Sequence, residues 1–109
     1  MSCEISAVGE GRFRLAGELC VFHAAELKPH LLAIVQADAD REIDLAQISE
    51  VDTAGIQLLL LAKREAARLG GRLAFVNHSE PLLDAIGLLN LARDFGDPVL
   101  MPARHEEAQ

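Results

Sequence analysis

The stretch that most constrains this chain is SEVDTAGIQLLLLAKREAARLGG, residues 49–71. An Asp-Thr pair able to cap a helix opens it, four consecutive leucines follow, and Gly70-Gly71 supplies a stop. The pattern predicts a helix over 53–69. With side chains placed about 100° apart, Leu58, Leu59, Ala62, Ala66 and Leu69 share one sector, which should face a sheet. Gln57, Arg64, Glu65 and Arg68 fall on the opposite side. Leu61 lands among those polar residues, and Ile56 and Leu60 lie at the edge. Gly55, in the first turn, costs up to about 1 kcal/mol against Ala in a helix interior. Its presence there points to a close backbone approach.

The segments around this helix supply the sheet. Glu4–Val8 alternates weakly, GEG (9–11) makes a turn, and RFRLAG places Phe13 and Leu15 on one face, together a hairpin signal. AAELKPHLLAIVQA (24–37) carries Leu27, Leu31, Ile34 and Val35 at helical spacing, with Pro29 expected within its first turns. REIDLA holds Ile43 and Leu45 as a short central strand, followed by QISEV as a loop. RLAFVN (72–77) is the next strand. HSEPLLDAIGLL then starts a helix that Ser79 can cap, with Pro81 in its first turn and Gly87 expected to end it. NLARDFG predicts a short fourth helix and PVLMP an edge strand. The order β-β-α-β-α-β-α-α-β predicts an α/β fold, a small mixed β-sheet with about four helices packed against it. One domain is expected over 1–102, with 103–109 a mobile tail.

Composition narrows the function. Half of the 109 residues are hydrophobic, with no Trp or Tyr and only four Phe, so the core must be aliphatic and aromatic stacking on bases or sugars is disfavoured. The net charge of -7, from 10 basic and 17 acidic residues, suits neither a phosphate backbone nor nucleic acid in general. Cys3 and Cys20 lack CxxC spacing and read as reduced thiols. No apolar run approaches the roughly 20 residues that span a bilayer, and MSCEISAVGE lacks the form of a secretion signal. A cytoplasmic protein without direct membrane insertion is expected.

No catalytic residue, metal site or cofactor is expected. His23, His30, His78 and His105 are scattered, and His23 and His30 lack the i, i+4 pairing of helical zinc ligands. Cys20 with His23 has the elements of a nucleophile and base, but a cysteine after a strand is expected to be buried. Asp44 and Asp52 could do acid–base work, yet no nucleophile or cofactor loop accompanies them. Asp44 is expected to bond loop amides. GEG and GG lack phosphate-loop spacing.

Thr53 is the residue with chemistry to offer. Beside Leu60 and Leu61 its hydroxyl would border an apolar spot. Phosphorylation would add about -1.5 to -2 charges. A helix N-terminus favours an anion by about 0.3–1 kcal/mol, whereas Glu50 and Asp52 would repel it. A net penalty of about 1.4 kcal/mol already lowers partner affinity tenfold.

At these residues the sequence resembles the STAS domain family of anti-sigma factor antagonists. GEL (17–19), IDLAQISEVDTAGIQLLLLAKREA and GGRLAFVNHSEPLLDAIGLLNLARDFG carry the resemblance over nearly the whole chain. It implies a non-enzymatic regulatory protein, phosphorylated at Thr53 by a partner kinase that is also an anti-sigma factor. It also implies a binding surface of Ser49, Asp52, Thr53, Gln57, Leu60 and Leu61, with Gly55 as the structural turn. Two departures stand out. Cys20 occupies a position that is often Asp or another polar residue, and Ala54 leaves no second hydroxyl after Thr53. The chain looks closer to stand-alone proteobacterial STAS proteins. Some of these accompany chemotaxis-type kinases, and others dock on the cytoplasmic ATPase of phospholipid-transport complexes. ATP and Mg²⁺ would belong to the kinase. Weak homodimerisation through the apolar helix face stays open.

Overall fold

The computed structural model describes residues 3–35 and 40–88. The first two strands, β1 (Cys3–Gly9) and β2 (Arg12–Leu19), form the expected antiparallel hairpin. Gly11 turns the chain at φ 69°, a left-handed conformation that glycine adopts without steric cost. β3 (Asp40–Val51) pairs parallel with β2, and β4 (Arg72–Val76) pairs parallel with β3, giving a mixed sheet of order β1-β2-β3-β4. Parallel neighbours need crossovers. α1 (Val21–Ile34) and α2 (Thr53–Arg68) provide them, and α3 (Glu80–Leu88) follows β4.

Alternation assigns the two sheet faces. Ile5, Leu15, Ile43, Leu73 and Phe75 turn towards the helices and are buried or packed on the core. Strand residues of the opposite parity, Glu4, Arg12 and Arg72 among them, are exposed. From α2, Ile56, Leu58, Leu59, Leu60, Ala62 and Ala66 enter the same core, together with Leu27 and Leu31 of α1 and Leu82 and Ile86 of α3. α2 is further pinned by Lys63, whose Nζ donates to the Leu73 carbonyl at 2.8 Å and lies 5.4 Å from the Phe75 ring centroid.

Helix ends follow the sequence signals. Gly70 at φ 87° lets Gly71 N donate to Ala66 O and Gly70 N to Ala67 O, the paired bonds of a Schellman stop. Ser79 Oγ accepts from Leu82 N at 3.3 Å at the start of α3, and Pro81 lies in its first turn. Gly87 does not end that helix, which continues to Leu88.

Two other expectations are corrected. QISEV is not a loop but the second half of β3, which is twelve residues long. The pairing of β2 with β3 shifts register twice, so that Arg14 and Ala16 oppose Asp44 and Gln47, and Gly17 and Glu18 oppose Ile48 and Glu50. These bulges insert extra residues into β3 and break the period of two. The buried side chains accordingly fall at 43, 45 and then 48. Asp44 sits at the first bulge. Its carboxylate accepts Ala46 N at 2.8 Å and Asn77 Nδ2 at 3.0 Å, and Asn77 takes the left-handed region at φ 55°. Pro29 is also not in a first turn, because α1 starts at Val21 and holds it in the interior. The missing N–H leaves the carbonyl four residues earlier, on Ala25, without its helical donor. Ala25 is exposed, so water can reach it. Three helices are described rather than four. The expected fourth helix and the edge strand lie outside the described residues.

Candidate functional site

The site is built where two helices begin side by side. Asp52 is the N-cap of α2, and its Oδ1 accepts from Gly55 N at 3.0 Å. Its Oδ2 accepts from Val21 N, the first residue of α1, at 2.9 Å. One carboxylate therefore holds the N-termini of both helices, while Asp52 N donates to Leu19 O at the end of β2 at 3.2 Å. Charge-assisted bonds of this kind are stronger than neutral ones. The arrangement also demands that α2 lie very near β2. A Cβ on Gly55 would stand 2.2 Å from the Leu19 carbonyl oxygen and 2.7 Å from its Cγ. Only a residue without a side chain fits.

Thr53 is the first residue of α2, and its side chain is exposed. Gln57, one turn on, is exposed as well, and Ser49 is exposed on β3. Leu61 is half-buried. It lines an open groove of about 250 Å³ between α1 and α2, with Ala24, Ala25 and Lys28 on one wall and Ala54, Gln57 and Leu58 on the other. Leu60 does not reach this surface. It is only 6% exposed and belongs to the core. The apolar spot expected from Leu60 and Leu61 is thus formed by Leu61 with the alanines of α1.

The sequence reading missed two exposed apolar residues. Val21 is 56% and Phe22 85% exposed, at the N-terminus of α1 immediately beside the Asp52 clamp. Their signal was the VF pair after Cys20, but the helix was expected to start only at Ala24. Cys20, expected to be buried, is half-buried. It is the N-cap of α1 and makes no side-chain cap bond, although its carbonyl accepts from His23 N and Ala24 N, both at 2.9 Å. Cys3, at the start of β1, has its thiol pushed up to about 11 by burial, by Cys20 and by Glu4.

The surface carries binding features more readily than catalytic ones: an open apolar groove, an exposed aromatic ring and an exposed hydroxyl. Residues 4–102 match the family model described as Mlab, STAS domain. Similar solved structures include a putative anti-sigma factor antagonist from Thermotoga maritima. It is 16% identical with a TM-score of 0.68, over 93% of this chain and 90% of that one. The unphosphorylated anti-sigma factor antagonist SpoIIAA is 18% identical with a TM-score of 0.65, over 89% of this chain and 88% of that one. The phosphorylated form of SpoIIAA, described as a Bacillus cell fate determinant, is 18% identical with a TM-score of 0.62, over 89% and 91%. At these identities the likeness shows a shared fold. No curated protein sequence matches the chain. Among the described residues no helix is long and apolar enough to cross a membrane.

Proposed function

The chain belongs to the STAS family, and on that premise we propose that it is a non-enzymatic regulator that binds a protein partner and is switched by phosphorylation of Thr53. The observation that carries this reading is the position of Thr53, exposed at the first residue of α2, next to an apolar groove and to the start of α1. The partner would be an anti-sigma factor or serine/threonine kinase, or a chemotaxis-type kinase, in the cytoplasm. Ser49, Asp52, Thr53, Gln57 and Leu61 would form its footprint, joined by Val21 and Phe22. An aromatic side chain at the edge of a groove is the kind of residue that anchors interfaces.

The electrostatics support a switch that spares the fold. A phosphate on Thr53 would stand at the N-terminus of α2, close to that of α1, where the helix dipoles favour an anion. Glu50 and Asp52 would oppose it, and a docked partner would have to desolvate it. The loss would therefore fall on binding.

A second reading is constitutive docking on the cytoplasmic ATPase of a phospholipid transporter. The groove favours it, since its apolar walls do not depend on a phosphate. A pull-down from the native cell extract with wild-type, Thr53→Asp and Thr53→Ala protein separates the two, with Thr53 phosphate read by mass spectrometry. The switch is supported by a kinase partner that Thr53→Ala keeps and Thr53→Asp loses, with phosphate on wild-type Thr53. Recovery of an ATPase subunit, with no phosphate under any growth condition, would sink the switch and leave the docking subunit.

A further inference from the structure

A second cluster with ligand chemistry is formed by residues that flank Val21 in the sequence. Glu18 near the end of β2, Cys20 at the N-cap of α1 and His23 in its first turn bring a carboxylate oxygen, a thiol sulfur and an imidazole nitrogen within 4.8 Å of one another. All three residues are half-buried, so they are partly shielded yet open to entry from solvent. From this geometry we propose that Glu18, Cys20 and His23 bind a divalent cation of the zinc class.

Several observations converge on it. The three side chains point together with no hydrogen bond among them, and the Glu18–His23 contact is at ion-pair distance only. His23 Nε2 and Glu18 Oε1 are 3.8 Å apart, beyond hydrogen-bond distance. Cys20 caps its helix without a side-chain bond. Among the described residues no hydrogen bond reaches any of the three side chains. A tetrahedral zinc ion with bonds of about 2.0–2.3 Å to O, N and S needs ligand atoms about 3.3–3.7 Å apart. The present cluster is therefore wider by at most about 1–1.5 Å, which side-chain rotation can close. The donor set also selects the ion. Thiolate and imidazole suit zinc, whereas magnesium and calcium prefer oxygen donors alone.

Binding proceeds with loss of the Cys20 thiol proton to solvent and formation of the metal–sulfur bond, with no change of oxidation state. Three protein ligands leave a fourth position for water. The ligands come from the end of β2 and the first turn of α1, so the ion ties that turn to the sheet directly before Val21. It would thereby fix the platform that presents Val21 and Phe22. Histidine pairing alone did not reveal this set, because its members are one histidine and two residues of other types, in the spacing E-x-C-x-x-H.

The test is titration of reduced, chelator-treated protein with Co²⁺, followed by displacement with Zn²⁺. One equivalent of Co²⁺ should give a sulfur-to-cobalt charge-transfer band with tetrahedral ligand-field bands, and Zn²⁺ should abolish them. Cys20→Ser should remove the charge-transfer band. Serine is a good N-cap, so the variant keeps its fold and circular dichroism will show it. His23→Gln and Glu18→Gln should each weaken binding at least about tenfold, since even partners outside the ligand shell are worth 10- to 100-fold. Cys3→Ser should change nothing. Zinc should also slow alkylation of Cys20 in the wild type. A missing charge-transfer band, a band that survives Cys20→Ser, or one that disappears in Cys3→Ser would each overturn the proposal.

Discussion

If Asp52 joins two helices rather than capping one, Asp52→Asn is not a silent change. Asn and Asp are near-equal N-caps, so a residue that only capped α2 would tolerate the exchange. Here both carboxylate oxygens are committed, Oδ1 to Gly55 N and Oδ2 to Val21 N. Asn keeps one acceptor and turns an NH₂ donor towards the second N–H. A hydrogen bond to a charged group contributes about 1.5–3 kcal/mol, and half-burial of Asp52 places this pair at the lower end. Asp52→Asn should therefore cost about 1–2 kcal/mol and Asp52→Ala about 2–3 kcal/mol. A second substitution isolates the cause. Val21 is the first helical residue, a position where proline is tolerated, and Cys20 before it is already extended at φ -138°, ψ 176°, as a residue preceding proline should be. Val21→Pro deletes the donor to Oδ2, and in that background Asp52→Asn should become nearly neutral. Urea denaturation of the four proteins closes the cycle, with an expected coupling of about 1 kcal/mol or more. A coupling below about 0.3 kcal/mol, within ordinary additivity, would refute the two-helix clamp.

Gly55→Ala should destabilise the fold by about 1–3 kcal/mol, the usual overpacking cost. The new Cβ collides with backbone at Leu19, and thermal melting will show the loss despite alanine's better helix propensity. Leu60→Ala should cost about 2–5 kcal/mol as a core truncation, while Phe22→Ala should leave the melting temperature nearly unchanged and weaken capture of the partner. Cys3 gives a pH signature. Its thiol is raised from the ordinary 9.0 to about 11, so between these values the unfolded chain has lost a proton that the folded chain keeps. Stability is then fully present below about pH 9 and falls as pH rises towards 11. The alkaline slope of the urea midpoint should be shallower in Cys3→Ala, and equal slopes would contradict the assignment.

How far the sequence could be read depended on whether a feature was local. The helix after Asp52, its cap and its glycine stop are set by residues a few positions apart, and so is the β1–β2 hairpin. The second half of β3 does not read as a strand because its bulges replace a spacing of two with three between Leu45 and Ile48. The start of α1 is poorly marked in the sequence because Cys20 is a weak capping signal and the helix begins with an exposed Val-Phe pair in place of an amphipathic pattern. Leu60 lies at the edge of the apolar sector of α2, and helical spacing alone does not say whether an edge position is covered; here it is buried. The second oxygen of Asp52 reaches a donor 31 residues away, and no periodicity carries such information. Glu18, Cys20 and His23 are near in sequence, but only the strand-to-helix turn makes them converge.

The clamp also bears on how a charge at Thr53 would be received. A helix start offers several N–H groups without helical partners, and here two starts share one neighbourhood. Asp52 takes those of Val21 and Gly55, the Asp52 carbonyl takes that of Ile56, and the Cys20 carbonyl takes those of His23 and Ala24. Among the described residues, Thr53, Ala54 and Phe22 keep N–H groups with no protein acceptor. A phosphate on Thr53 would thus find donors that Asp52 does not need, and would not have to break the clamp to be held. The consequence is measurable. Thr53→Asp should lower the urea midpoint far less than Asp52→Asn, even if it releases the partner. Were Thr53→Asp to destabilise as strongly as Asp52→Asn, the new charge would be competing for the donors of Asp52. Any effect on binding would then be a loss of fold rather than a switch.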